Sequence, residues 1–147
     1  MGLDMYLTAK RYLSEYDEKD KPVLKKLDEI FPGKKVNRIE GNACYWRKAN
    51  HIHQWFVKNV QNGKDECLQH YVSREQLLDL IETCEAVEEQ PEKASELLPP
   101  QTGFFFGRTE IDEYYMNDLD DTVKQITQAL NRYPSEEGWS FEYCSSW

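Results

Sequence analysis

Between Leu3 and Leu13 apolar and polar side chains alternate. Leu3, Met5 and Leu7 stand against Asp4, Tyr6 and Thr8, the two-residue period of a strand with one buried face. From Lys21-Pro22 the period becomes helical: Val23, Leu24, Leu27 and Ile30 make a stripe, Pro22 suits a first turn, and Phe31-Pro32-Gly33 stops it. Residues 35–40 carry Val36 and Ile39 and read as a short strand, with Gly41-Asn42 as the turn after it. In the dense segment that follows, helical spacing puts Trp46, Ala49, His53, Phe56 and Val60 on one face, and Asn62-Gly63 ends the helix.

Ser73-Arg74-Glu75-Gln76 is a capping box, and the helix it opens buries Leu77, Leu80, Ile81 and Cys84 before Pro91. A loop runs from Leu97 to Gly103, and Phe104-Phe105-Phe106 sits between Gly103 and Gly107. Thr109 reads as the cap of a long helix, with Glu110, Asp112 and Glu113 suiting the dipole of its first turn. Its stripe is Ile111, Tyr115, Leu119, Val123, Ile126 and Leu130. After a turn at 134–138, Trp139, Phe141 and Tyr143 alternate with Ser140, Glu142 and Cys144 in a closing strand. The pattern predicts one α+β domain over 1–147. A small antiparallel sheet pairs the N- and C-terminal strands, with about four helices on one face.

Composition narrows the classes. Aromatic residues make up 13% of the 147, which excludes a disordered chain. No apolar run nears 18 residues, so no membrane span is expected. The opening residues lack the order of a secretion signal, and position 6 is Tyr where myristoylation prefers Ser or Thr, so the expected location is cytoplasmic. Cys44, Cys67, Cys84 and Cys144 form no closely spaced pair; they read as reduced thiols, with no metal site and no cofactor expected. The net charge of −9 is uneven: residues 1–50 hold 11 basic and 8 acidic side chains, the remainder 7 and 19. Acidic stretches at 82–96 and 110–121 read as solvated helix faces, or as a surface that occupies a basic groove on a partner. Either way duplex nucleic acid is disfavoured as a partner.

Several phrases occur together: Met1-Gly2-Leu3-Asp4-Met5-Tyr6-Leu7, Tyr45-Trp46-Arg47-Lys48-Ala49-Asn50, Ile52-His53, Trp55-Phe56-Val57, Gly103-Phe104-Phe105-Phe106-Gly107, Thr109-Glu110, Asp112-Glu113 and Ser145-Ser146-Trp147. In this order they resemble a family of small uncharacterised proteins encoded by bacteriophages and prophages. The resemblance spans the two termini and roughly residues 43–130, and leaves out 9–40. It implies an accessory protein working in the host cell on host machinery or an anti-phage defence component, and it implies no mechanism.

On the helix read from Trp46 to Val57, Trp46, Asn50 and His53 share one side, with Arg47, Asn50, His51 and Gln54 on the adjacent stripe. Such a surface stacks a planar ring, pairs an anion with Arg47 and reads an edge with Asn50 or His53. Thr102 and Gly103 offer backbone amides to an anion, the Gly-flanked phenylalanines and the Tyr114-Tyr115 pair make the expected opposing wall, and Asp112 adds a carboxylate. The candidate ligand site is therefore Trp46, Arg47, Asn50, His53, Thr102, Gly103, Asp112 and Tyr115. The plainer reading makes Asn50 and His53 satisfied core groups, Trp46 core, and Asp112 a first-turn carboxylate. His51 and His53 point to different helix faces and share no metal, and His70 reads as solvent-facing.

These features point to a binding protein, monomer or homodimer, whose partner is a host protein or a small nucleotide-like ligand. The alternatives are a small hydrolase of a phosphorylated or nucleotide substrate using His53, Arg47 and a carboxylate, and a structural or regulatory homo-oligomer. A pocket where Arg47, Asn50 and His53 converge favours a ligand; a flat Phe104–Phe106 patch favours assembly.

Overall fold

The computed structural model describes residues 2–147. In chain order the elements are β1 (Asp4–Tyr12), α1 (Lys21–Ile30), β2 (Arg38–Arg47), α2 (Asn50–Asn59), β3 (His70–Val72), α3 (Arg74–Glu89), α4 (Ala94–Leu97), α5 (Glu113–Arg132) and β4 (Trp139–Ser146). The four strands form one antiparallel sheet in the order β2-β1-β4-β3, so the terminal strands pair at its centre, as the alternation predicts.

The register puts Met5 opposite Trp46 and Ser145, Leu7 opposite Cys44 and Tyr143, and Ala9 opposite Gly41 and Phe141. This is the face that the helices cover. Ile52 and Phe56 of α2, Leu77, Leu80, Cys84 and Val87 of α3, and Leu119, Ile126 and Ala129 of α5 are all buried against it. Phe56 stacks on Tyr143 with centroids 3.9 Å apart and planes 5° from parallel. The other face carries the exposed Tyr6, Tyr12, Tyr45 and Tyr71.

Two sequence readings change here. Gly41-Asn42 does not turn the chain. Both residues lie inside β2, where Ala43 is the extra residue of a bulge opposite Leu7-Thr8. Glycine is required at 41 because the Tyr133 ring lies across it: a Cβ there would sit 2.4 Å from the Tyr133 hydroxyl. Trp46 and Arg47 belong to β2 and not to a helix; they continue its in-out alternation, Cys44 and Trp46 inward, Tyr45 and Arg47 outward. The helix begins at Asn50, after Lys48 takes a left-handed φ of 58°. The outer edge of β2 is closed by α5, whose Gln125 amide bonds both the Tyr45 N–H (2.8 Å) and the Tyr45 carbonyl (2.9 Å).

The Ser73–Gln76 capping box forms as its spacing predicts. The cap of α5 is Asp112, not Thr109: its carboxylate accepts from the Tyr115 N–H at 3.1 Å. Cys84 is core, and burial pushes its thiol and that of Cys44 up to about 12. All four cysteines are free. His70 is half-buried in β3 and does not face open solvent. Among the described residues no helix is long and apolar enough to cross a membrane.

Candidate functional site

A cleft of about 400 Å³ opens where the end of β2, the start of α2, the 107–112 loop and the first turns of α5 meet. Arg47, Lys48, Asn50 and His51 line one wall, Gly107, Arg108 and Glu110 the rim, and Asp112, Tyr114, Tyr115 and Asp118 the other wall. The walls meet because β2 runs straight into α2 through one left-handed residue, Lys48. Gly107, at φ 86°, lies so close that a Cβ there would stand 3.2 Å from the Lys48 Cβ.

Asn50 is buried and builds the rim. Its amide donates to the carbonyls of Phe106 (3.0 Å) and Arg108 (2.7 Å), and its oxygen accepts from the Gln101 N–H (2.9 Å). Three points of the 101–108 loop are thus tied to the first residue of α2. Arg108 reaches back over the Tyr114 ring (5.4 Å) and pairs with Asp112 (3.4 Å). Arg47 donates to both oxygens of Asp4 at 2.7 and 2.8 Å. The Tyr45 hydroxyl, then Arg47, hold the Asp4 carboxyl below its usual range.

At the floor, His51 is buried and stacked on Tyr115, centroids 4.1 Å apart. The Tyr115 hydroxyl donates to the Leu98 carbonyl at 2.8 Å. The Nε2 of His51 is fully enclosed with no hydrogen-bond partner among the described residues; Asp118 Oδ2 is 3.8 Å away. Burial pushes His51 down to about 4. Burial, with the charges of Asp121 and Asp112, pushes Asp118 up to about 6.

The two groups act on stability with opposite signs. A depressed His51 gives a contribution that is complete above the unfolded value of about 6.5 and is lost as pH falls toward 4. A raised Asp118 favours the fold below the unfolded value and loses that contribution as pH rises through 6, an effect weakened because 39% of its side chain is open to water. His51→Phe keeps a ring on Tyr115 and removes the titration. Between pH 7 and 4 the native protein is expected to lose about 3 kcal/mol more than this variant, read from denaturant melts at each pH. Equal acid losses would show that His51 titrates as in the unfolded chain.

Of the eight candidate residues, Arg47, Asn50, Asp112 and Tyr115 line the cleft. The other four lie elsewhere. Trp46 is core, its indole N–H donating to Thr122 Oγ1 at 2.9 Å. His53 is completely enclosed, Nδ1 on the Tyr143 hydroxyl (2.7 Å) and Nε2 on Asp65 (2.9 Å). The carboxylate sets the Nε2–H tautomer, so Nδ1 accepts from Tyr143. Thr102 and Gly103 are exposed on the loop outside the cleft. The three phenylalanines form no flat patch: Phe104 is exposed, Phe105 half-buried, and Phe106 buried edge-on against His53.

Sequence reasoning left Lys48, Arg108 and Asp118 out of the site, and placed His51 on its flanking stripe and Tyr114 on its opposing wall without counting them among its residues. A signal for part of it was present: Asp118 stands four residues after Tyr114 and three after Tyr115, one helical face. Among the described residues no three His, Cys, Asp or Glu side chains are grouped to hold a metal ion. Comparison with protein-family models, curated proteins and solved structures finds no match.

Proposed function

We propose that the protein acts by binding, taking a small nucleotide-like ligand in the cleft between β2, α2 and α5. The observation that carries this reading is a cleft of about 400 Å³ that brings the cations Lys48 and Arg108 together with the exposed ring of Tyr114. Lys48 and Arg108 supply charge for a phosphate. Tyr114, two-thirds exposed, supplies a ring face. Asp118, with 39% of its side chain open to water, supplies acceptors for a base edge. In the bacteriophage setting that the sequence phrases imply, such a protein sequesters or senses a nucleotide of the host. His53, enclosed and doubly bonded, plays no part in the cleft.

The test is a thermal melt of the full chain with and without ribonucleoside monophosphates. At 100 times Kd a ligand stabilises by about 2.7 kcal/mol, which for a domain of this size raises Tm by several degrees. Lys48→Gln with Arg108→Gln is expected to remove the shift while leaving the unliganded Tm close to the parent's. No shift with any nucleotide at millimolar concentration would refute the reading.

A further inference from the structure

We infer that the open face of the sheet is the surface on which two copies of this chain associate, face to face. The inference is independent of the nucleotide reading and concerns the side of the molecule that the helices leave bare.

The register fixes what that face carries. Tyr6 and Tyr12 stand on it along β1, Tyr45 lies opposite Tyr6 on β2, and Tyr71 of β3 shares a row with Glu142 and Thr8. Tyr6, Tyr12, Tyr45 and Tyr71 are 42%, 62%, 47% and 66% exposed, so no element of the described residues covers them. The Tyr6 and Tyr45 rings pack on each other, centroids 5.4 Å apart. Four open tyrosines on one sheet face mark an interaction surface.

Charge decides what the surface takes. The face holds three cations and three carboxylates, and each cation is paired on it: Arg47 with Asp4 (2.7 Å), Arg38 with Glu40 (3.0 Å), and the buried Lys10 with Glu142 and Glu40. The net charge of −9 therefore lies wholly on the rest of the molecule. A single strand of nucleic acid can stack on an aromatic sheet, but its phosphates need free cations, and here carboxylates have taken them. Two copies of so acidic a chain repel through their other surfaces. On this face they meet without net charge, through Tyr and Arg side chains of the kind enriched at protein interfaces.

The sheet edges offer a second copy less. Gln125 occupies the Tyr45 N–H and carbonyl on the outer edge of β2, and β3 at the other edge is three residues long. The face is large enough. With β1 nine residues long, and strands ~4.8 Å apart rising ~3.4 Å per residue, it spans on the order of 500 Å². Two such faces bury on the order of 1,000 Å² together, the size at which specific interfaces begin. A two-fold contact sets the same rings and hydroxyls against each other from both sides.

Sedimentation equilibrium of the full chain, with no nucleotide present and at physiological salt, tests the inference. Between about 1 and about 300 μM the mass is expected to rise from 17.4 kDa toward twice that value. Tyr6→Lys and, separately, Tyr71→Lys put a like charge on both copies and are each expected to weaken association about 30-fold or more. Tyr71, two-thirds exposed on a short edge strand, is the position whose replacement disturbs the fold least, and its Tm is expected to stay near the parent's. Leu78→Lys, at a half-exposed position of α3 in the helical layer, is expected to leave association unchanged. A mass of 17.4 kDa at every concentration overturns the inference. So does a dimer that either folded tyrosine variant leaves intact, or one that Leu78→Lys dissolves, because it uses another surface. A monomeric parent that binds a labelled oligouridylate overturns it in favour of a nucleic-acid platform.

Discussion

Tyr143→Ala is expected to leave the chain unfolded, or nearly so, at room temperature. Tyr143 sits at the middle of β4, fully enclosed, with its ring flat on Phe56 and its hydroxyl donating to His53 Nδ1. Removing a buried aromatic ring costs about 3–5 kcal/mol in lost transfer energy and residual cavity. It also strips His53 of a partner in a place water does not reach, for about 1–3 kcal/mol more. Against a typical total of about 5–15 kcal/mol for a domain, little remains. The damage spreads along a defined route. His53 holds Asp65, and Asp65 accepts from the Trp147 indole N–H at 3.1 Å, so the 61–69 segment and the C-terminal residue are fastened through the same imidazole. Tyr143→Phe separates the contributions: it keeps the stack and loses only the hydroxyl. It should fold, with a midpoint in urea lower by an amount corresponding to about 1–3 kcal/mol. An alanine variant as stable as the phenylalanine one would show that the stack contributes little.

The pairing of the terminal strands was legible because both carry strict two-residue alternation with aromatic or long apolar inward positions, and nothing else competes with that period. The segment around Trp46 was not legible for a definite reason. Trp46, Ala49, His53 and Phe56 satisfy a helical spacing, while Cys44, Tyr45, Trp46 and Arg47 satisfy a strand's, and the two patterns overlap at Trp46 and Arg47. What decides is non-local: nine residues of β1 pair with β2, and the Trp46 indole finds Thr122 far along the chain. Gly41 misleads in the same way. Its lack of a side chain serves the approach of Tyr133, a residue some ninety positions away, and not a turn. The choice between Thr109 and Asp112 as cap is finer, since both residue types cap well; Asp112 is the one whose carboxylate reaches an N–H three residues on.

The same non-locality explains the half of the candidate site that lay elsewhere. Shifting Trp46 and Arg47 from helix to strand turns Trp46 into the core and Arg47 outward onto Asp4, while the helix start moves to Asn50 and brings His51 to the cleft floor in place of His53. The acidic stretch at 110–121 reads in sequence as a solvated face. In the fold Glu110 and Asp112 pair with Arg108 and Asp118 lies beside His51, so this acidic stretch lines a cleft with Lys48 and Arg108 in it and is not simply a solvated face.

Asn50→Ala is expected to loosen the 101–108 loop while the sheet stays intact, and with the loop to abolish the nucleotide binding proposed above. The side chain makes three hydrogen bonds to backbone groups of that loop, two donated and one accepted, and satisfies groups that have no helix or strand to serve them. Alanine orphans the Phe106 and Arg108 carbonyls and the Gln101 N–H together. If each costs about 1 kcal/mol after partial hydration, the sum is about 3 kcal/mol, most of it local. The loop's other anchors persist: Phe106 remains against His53, and the Leu3 N–H still donates to the Phe105 carbonyl at 3.0 Å. Gly107 has no such anchor, and Arg108 keeps only its side-chain contacts with Glu110, Asp112 and Tyr114, so the backbone of both shifts relative to Lys48 and the cationic rim is disturbed. Hydrogen exchange should therefore rise across 101–108 in the variant, with amides of β1 and β4 retaining their protection. Asn50→Asp is the sharper comparison. It keeps the acceptor for the Gln101 N–H but places a carboxylate against two carbonyl oxygens, so it should perturb the loop at least as much as alanine does. An Asn50→Ala protein that keeps parental exchange in the loop and parental nucleotide affinity would show that the rim is held by Phe106 alone.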